Sequence, residues 1–340
     1  MKLLLISDAW HPQVNGVVRT LSSVVRELGE LGHTVRVAEP SEFKTVPCPS
    51  YPEIRLAVQP VGRLRRIADE FEPEALHIAT EGPLGLAGRD LARRSSWPFT
   101  TSFHTRFPEY VRARTGVPLS WGWGYLRWFH SAAERVLAST PTLRDELVSQ
   151  GLRKAALWSR GVDTELFRPQ DKSALGFERP IALCVGRIAV EKNLEALLKL
   201  DLPGSKVLIG DGPARADLER RYPQAHFLGA LHGEELARHF AAADVFVFPS
   251  RTDTYGLVML EALACGLPVA AFPVAGPLDV ITDERVGALD HDLGAAIRRA
   301  LALDPQDCVR YARERSWRAC AERFLTLLEP FAGSRQRDAG

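Results

Sequence analysis

Asp253 and Glu261 stand eight residues apart in S-R-T-D-T-Y-G-L-V-M-L-E-A-L-A-C-G, residues 250 to 266, and that spacing is the first sign of chemistry in this chain. The preceding V-F-V-F-P-S reads as a buried strand, T-D-T-Y-G as a loop, and the rest as a helix stopped by Gly266. Asp253 then lies at the carboxyl end of a strand, and Glu261 well inside an otherwise apolar helix. A carboxylate there is costly unless something donates hydrogen bonds to it. The vicinal hydroxyls of a ribose are natural partners; an ion pair with a nearby arginine is the plainer alternative. The N–H groups of Gly256, Leu257 and Val258 open the same helix and can receive phosphate oxygens. Thr254, Tyr255, Gly256 and Leu257 therefore join Glu261 as candidate ligand-binding positions.

V-G-R-I-A-V-E-K-N places Arg187 and Lys192 around the start of a second-half helix. The macrodipole disfavours cations at that end, so the pair points to an anion between them, and a diphosphate would satisfy both. Two solvated surface charges would also account for them. In H-P-Q-V-N-G-V, Asn15 and Gly16 can adopt positive φ and turn the chain into a helix whose free N–H groups face a cleft. That is an anion site in outline, or an ordinary strand-to-helix turn. G-D-G-P-A-R, residues 210 to 215, is like a truncated dinucleotide fingerprint, a weak sign of a dehydrogenase without its third glycine. D-H-D at 290 to 292 looks like a metal motif, but L-G-A-A-I-R-R-A-L follows it and makes Asp292 a helix N-cap. No metal is expected.

The elements that must hold these groups alternate. K-L-L-L-I-S, residues 2 to 7, reads as a buried strand, and the next helix carries Val17, Leu21, Val24, Val25, Leu28 and Leu31 on one stripe. Strands at 34–38, 75–78, 99–103, 136–139 and 155–158 then alternate with helices at 61–71, 84–94, 125–134 and 141–150. Such alternation means an α/β fold with a doubly wound parallel sheet. After W-S-R-G-V-D-T-E-L-F-R-P the pattern restarts, with strands expected at 181–186, 206–209, 225–228, 244–248 and 268–271. Two similar domains follow, 1–160 and 161–310, with their ligand loops at the carboxyl ends of the strands. The segment 311–340 closes the chain; one helical stretch, 305–331, puts Trp317, Ala321, Phe324 and Leu328 on a stripe that packs across a domain surface, and S-R-Q-R-D-A-G reads as a disordered tail.

Composition narrows the partners. A length of 340 residues suits two cores, and 43 Lys+Arg against 42 Asp+Glu gives no reason to expect nucleic acid. The apolar run after Met1 is too short for a signal-peptide core and no 18-residue apolar stretch follows, so a cytoplasmic setting is expected. Five cysteines, odd in number and without C-x-x-C spacing, read as free and mostly buried thiols. The segment 105–130 mixes four arginines with Phe107, Tyr110, Trp121, Trp123, Trp128 and Phe129. That mixture suits a membrane interface or a lipid-linked acceptor, and suits equally a domain core with an acceptor wall.

Taken in order, K-L-L-L-I-S-D-A-W-H-P-Q-V-N-G-V-V-R-T, S-F-H-T-R-F-P-E-Y, S-R-G-V-D-T-E-L-F-R-P, V-G-R-I-A-V-E-K-N-L, I-G-D-G-P and the 250 to 269 stretch make a chain that resembles the retaining glycosyltransferases of the GT-B fold, glycosyltransferase family 4. Its GDP-mannose-dependent α-mannosyltransferase and sulfolipid-synthase-like branch is the most similar part, and the resemblance spans nearly the whole sequence. It implies two Rossmann-like domains facing a central cleft, a nucleotide-sugar donor held mainly by the second, a lipid or glycan acceptor, no cofactor or metal, and peripheral contact with an anionic membrane. Carried onto this sequence, it gives Arg187 and Lys192 to the diphosphate, Glu261 to the ribose and Asp253 to the sugar hydroxyls. Gly16, beside Asn15, would meet the phosphate from the first domain, and Gly210 and Gly212 would lie near the base and diphosphate. His104 would lie beside the transferred sugar, unless it is a packed or capping histidine. Asp253 stands where the family usually has Glu, and Asn15 where many members have Gly; the Asp is found in the mannosyltransferase-like branch. The implied reaction moves mannose from GDP-mannose to a hydroxyl of diacylglycerol or a glycolipid, with retention and without metal. The alternatives are a UDP-glucose- or UDP-glucuronate-dependent glycolipid or polysaccharide synthase, an inverting transferase or epimerase of the same fold, and a non-catalytic nucleotide-sugar-binding protein.

Overall fold

The computed structural model describes residues 1–13, 15–48, 51–104, 112, 118–172, 176–253 and 255–331. The chain forms two compact units, Met1–Ser159 with Cys320–Gly340, and Arg160–Ala319. In the first, β1 (Lys2–Ile6), β2 (Thr34–Ala38), β5 (Ala75–Ile78), β6 (Thr100–Phe103), β7 (Arg135–Ala138) and β8 (Ala155–Leu157) form a parallel sheet in the order β2-β1-β5-β6-β7-β8. Its helices are α1 (Gly16–Glu30), α2 (Val61–Phe71), α3 (Pro83–Arg94), α4 (Leu119–His130) and α5 (Pro141–Ser149). The second unit repeats the plan with β9 (Ile181–Val185), β10 (Ser205–Ile209), β11 (His226–Phe227), β12 (Val245–Phe248), β13 (Val269–Ala271) and β14 (Gly287–Leu289), parallel in the order β11-β10-β9-β12-β13-β14. Its helices are α6 (Glu195–Leu198), α7 (Arg215–Arg221), α8 (Gly233–Ala242), α9 (Leu257–Ala264), α10 (Ala275–Val280), α11 (Leu293–Ala300) and α12 (Pro305–Arg313).

Both sheets are covered on both faces, which is why their strands read as continuous apolar runs. Along β9, Ile181 and Leu183 enter one core while Ala182 and Cys184 enter the other; Phe246 and Phe248 of β12 join the first, Val245 and Val247 the second. Each fully buried Leu, Ile or Phe contributes roughly 1.5–3 kcal/mol. All five cysteines are free, and burial pushes the Cys184 thiol up to about 12.

Four details differ from the sequence reading. A hairpin, β3 (Thr45–Cys48) with β4 (Tyr51–Ala57), follows β2 and escapes notice because Pro47, Pro49 and Pro52 interrupt its alternation. The three-residue β14 is too short to leave a pattern. Helix α4 begins at Leu119 instead of 125, because Gly122 and Gly124 dilute its start. The stretch 305–331 is two helices: Ser316 Oγ accepts the Ala319 N–H at 3.2 Å and caps α13 (Trp317–Leu327), while the Val162 N–H bonds Arg315 O and the Trp317 N–H bonds Val162 O. The expected stripe survives, with Trp317, Ala321, Phe324 and Leu328 all buried. Phe324 packs 4.9 Å from the His77 ring and 4.8 Å from Trp158. The chain passes between units at 159/160 and again inside α13, at 319/320, so the terminal helix joins the first unit from Cys320 onward. The expected disordered tail lies outside the described residues.

Candidate functional site

In a sheet ordered like the second one, the direction of strand progression reverses between β9 and β12, and the loops leaving their carboxyl ends part to make a crevice. A cavity of about 190 Å³ lies there, lined by Gly186, Arg187, Ile188 and Lys192 from the β9 loop, Pro249, Ser250 and Asp253 from the β12 loop, and Gly256, Leu257 and Val258 at the start of α9. Of the residues singled out from the sequence, the structure thus brings together Arg187, Lys192, Asp253, Gly256 and Leu257.

Local chemistry explains how each is held. Lys192 ends a 3-10 turn, Val190–Lys192, and Asn193 leaves it in the left-handed region at φ 53°. Asn193 Nδ2 donates to Pro249 O at 3.0 Å, tying the lysine turn to the β12 loop. Lys192 Nζ donates to Asp253 Oδ1 at 2.5 Å, whereas Asp253 Oδ2 is buried with no hydrogen-bond partner among the described residues. A buried carboxylate oxygen without a donor is expensive, so this atom is a candidate acceptor for a ligand O–H or N–H. Arg187 is exposed on the same rim and makes no ion pair among the described residues. Gly256 enters α9 at φ 77°, where a Cβ would stand 2.9 Å from Met259 and Phe248. At the other end Gly266 and Leu267 donate to Leu263 O and Ala262 O, the left-handed stop expected at that glycine.

Other candidates have different surroundings. Glu261 is 2 % exposed, one turn beyond Leu257 on α9. Tyr255 turns its ring into the apolar core. Thr254 lies outside the described residues. Gly210 and Gly212 serve loop packing: a Cβ on the first would be 1.9 Å from Gly186 O, and on the second 2.3 Å from Ile188 O. The Gly186 N–H bonds Ile209 O and the Ile188 N–H bonds Asp211 O, so the glycine loop braces the backbone that carries Arg187. Asp292 caps α11, accepting from Gly294 N and Ala295 N as expected. Among the described residues no group of three His, Cys, Asp or Glu could hold a metal.

In the first unit, Asn15 is not in the left-handed region; it is the N-cap of α1 at φ −149°, and Gly16 is not among the positive-φ glycines. Asn15 Oδ1 accepts from both Val17 N and Val18 N at 3.0 Å, so two of the N–H groups expected to be free are already satisfied. His104, directly after β6, sets its ring edge-on to Trp158 at 6.2 Å. Sequence reasoning missed a buried polar cluster here. Asp8, after β1, accepts from Leu84 N at 2.8 Å, Gly85 N at 3.2 Å and Thr80 Oγ1 at 2.8 Å, and burial still holds its carboxyl above the usual range. Beside it Glu81 Oε1 lies 3.2 Å from His130 Nε2, whose Nδ1 meets Thr101 Oγ1 at 2.8 Å. The aspartate after the first strand was the available signal. Segment 105–130 is described only at Arg112 and from 118 onward. There Trp123, Leu126 and Phe129 are core while Trp121, Tyr125 and Trp128 are exposed.

Two Rossmann-like parallel-sheet units, the second with cations and a carboxylate at its switch point, define a glycosyltransferase of the GT-B fold. The chain belongs to glycosyltransferase family 4: that family's model matches residues 14–166, and the model for glycosyl transferases group 1 matches residues 179–303. It is 32% identical to a GDP-mannose-dependent alpha-mannosyltransferase of Mycobacterium tuberculosis, over 100% of this chain and 99% of that protein. To the sulfoquinovosyl transferase SQD2 of Arabidopsis thaliana it is 34% identical, over 84% of this chain and 62% of that protein. Among solved structures it superposes on a sucrose-phosphate synthase from Thermosynechococcus elongatus with a TM-score of 0.74 at 21% identity, covering 96% of this chain and 98% of that one.

Proposed function

We propose that this glycosyltransferase is a retaining, metal-independent hexosyltransferase that moves mannose from GDP-mannose to a hydroxyl of a lipid, diacylglycerol or a glycolipid, at the cytoplasmic face of a membrane. The observation that carries it is the switch-point cavity in which Lys192 is paired to Asp253 while Asp253 Oδ2 has no donor among the described residues. A diphosphate fits the cations, and a sugar hydroxyl fits the bare carboxylate oxygen. The name of the mycobacterial relative supports the mannosyl donor, and the likeness to an alpha-monoglucosyldiacylglycerol synthase of Streptococcus pneumoniae, 28% identical over 97% of this chain, supports the lipid acceptor.

In this reading the bond from the sugar's anomeric carbon to the diphosphate oxygen breaks through an oxocarbenium-like state. The acceptor oxygen bonds to that carbon on the face the diphosphate leaves, and its proton passes to a leaving phosphate oxygen. Negative charge grows on the diphosphate as the bond breaks. Arg187, Lys192 and the N-terminus of α9 stabilise it there, where preorganised charge has its largest effect on rate. Glu261 takes the ribose hydroxyls.

Thermal shift against GDP-mannose, UDP-glucose, UDP-glucuronate and UDP-N-acetylglucosamine tests the donor, and the anomeric configuration of the product by NMR tests retention. GDP-mannose should stabilise the chain most and the new linkage should be α. Preferential stabilisation by a uridine donor overturns the mannosyl reading, a β linkage overturns retention, and tight donor binding without product overturns catalysis.

A further inference from the structure

Helix α4 carries three large aromatic side chains that the fold does not cover: Trp121 is 73 % exposed, Trp128 49 % and Tyr125 39 %. At positions i, i+4 and i+7 they lie within one narrow arc of the helix, with the buried Trp123 and Leu126 on the far side and the buried Phe129 at its flank. Leu86, exposed on α3, stands one turn before Arg89, the residue that meets this row. Exposed apolar residues scattered singly need no explanation, but a row on one face marks a partner.

The chemistry around the row says which partner. Every exposed aromatic on it has a polar tip, as tryptophan and tyrosine do, and such rings settle where one end is apolar and the other wet. Helix α4 contains no Asp or Glu. Arg89 of α3 stacks its guanidinium 4.0 Å over the Trp128 ring and donates to Trp128 O and Phe129 O, fixing the aromatic against a cation. Arg93, one turn along α3 on the same face, is exposed; burial lowers the Arg89 pKa, and the charge of Arg93 lowers it further. The acid on that helix, Asp90, is engaged by Arg94 at 2.8 Å. A chain of formal net charge +1 has no general basic excess, so this local one is a property of the patch. Position matters too. Helix α4 leads into the amino end of β7, so its first turns lie at the carboxyl edge of the sheet, and Tyr125 Oη donates to Glu81 O in the loop that leaves β5 there.

We infer that the Trp121–Tyr125–Trp128 face of α4, with Leu86 and the arginines of α3, docks on the headgroup region of an anionic bilayer. The rings enter at headgroup depth, Arg93 meets lipid phosphate, and the row runs toward the carboxyl edge of the first sheet, where ligands of such sheets bind. This rests on the lipid-acceptor part of the proposed function and names the surface that would present such an acceptor.

Flotation of the full chain with phosphatidylglycerol/phosphatidylcholine vesicles tests it, without donor or turnover. The wild type should float at low salt and release at high salt, and Trp121→Ser/Trp128→Ser should bind about tenfold more weakly or worse. Trp121→Ser alone, at a position too exposed to support the core, should show part of that loss. Stabilisation by GDP should be the same in all three proteins, as evidence that they are folded. A wild type that stays with the bulk at low salt, or variants that float equally well, overturns the assignment. So does a concentration-dependent dimer in sedimentation that the double variant abolishes while vesicle binding persists, since a second copy is then the occupant. Vesicle binding without any transfer product leaves this docking face standing and removes only the proposed activity.

Discussion

Replacing Asp253 by Asn should separate two affinities that ordinarily move together, those for bare GDP and for GDP-mannose. The Lys192 ammonium lies 2.5 Å from the carboxylate, with the two side chains 27 % and 24 % exposed. Unit charges about 4 Å apart interact by about 4 kcal/mol at an effective dielectric of about 20, and partial exposure reduces what is realised. Phosphate oxygens approaching Lys192 compete with this internal anion. Once it is neutral, bare GDP should bind more tightly by about 1 kcal/mol, roughly fivefold. GDP-mannose shares that gain but loses its contact with the buried Oδ2, and a hydrogen bond to a charged group contributes about 1.5–3 kcal/mol. The preference for GDP-mannose over GDP should therefore fall by roughly ten- to a hundredfold. Titration calorimetry of both ligands on both proteins measures it. Equal changes in the two affinities would refute the reasoning and leave Asp253 as a structural partner of Lys192.

Arg187→Ala should lower kcat more than donor affinity, because leaving-group charge peaks in the transition state, and excess EDTA should spare wild-type activity; a strict divalent-metal requirement would contradict the role given to Arg187 and Lys192. Glu261→Gln should weaken donor binding by roughly 1.5–3 kcal/mol in calorimetry, and a lowered Tm with unchanged affinity would make it a structural carboxylate. Gly210→Ala should destabilise by roughly 3 kcal/mol or more in urea, since its Cβ would stand 1.9 Å from Gly186 O, and a variant of wild-type stability would mean that the loops part easily. His77 is fully buried between the Thr100 and Ser102 hydroxyls, and burial lowers its pKa from 6.5 to about 3. Below pH 6.5 the unfolded chain takes up a proton that the folded chain refuses, so stability falls with acidification at about 1.4 kcal/mol per pH unit. Urea titrations at pH 7.5 and pH 5 should show wild type losing about 2 kcal/mol more than His77→Gln, and equal losses would mean that His77 is protonated in place.

Much of this architecture was legible because buried parallel strands and amphipathic helices write simple periods into a sequence. The runs at β1, β9 and β12 and the stripe on α13 were found where the structure has them. What was not legible depends on contacts distant in sequence. Nothing local marks His77 as a neutral imidazole under Phe324, or Glu81 as the neighbour of His130, 49 residues away. The same holds at the site. The sequence marks Arg187 and Lys192 as a pair of cations around a helix start and Asp253 as an acid after a strand; that Lys192 pairs with Asp253, and that one oxygen has no partner among the described residues, follows only from the β9 and β12 loops meeting. The glycines of G-D-G-P read as a fragment of a dinucleotide fingerprint, whereas in the structure what requires them is the backbone of the arginine loop, against which a Cβ would clash.

The two sheets are built alike, yet their switch points have opposite character. Between β9 and β12 the loops leave a cavity rimmed by Arg187 and Lys192. Between β1 and β5 the equivalent corner is filled by the chain itself: Asp8 caps α3, Gly82 has no Cβ because one would lie 2.5 Å from Asp8 Cγ, and Glu81 adds a second buried acid. A phosphate brought to that corner would meet a carboxylate where the other unit offers an ammonium, and would have to take helix N–H groups from Asp8. The neighbouring α1 N-terminus is likewise engaged by Asn15. The first unit therefore gains rigidity from the geometry that the second keeps open for a ligand. A tandem of similar folds can divide its labour this way by the charge of a single side chain after the first strand.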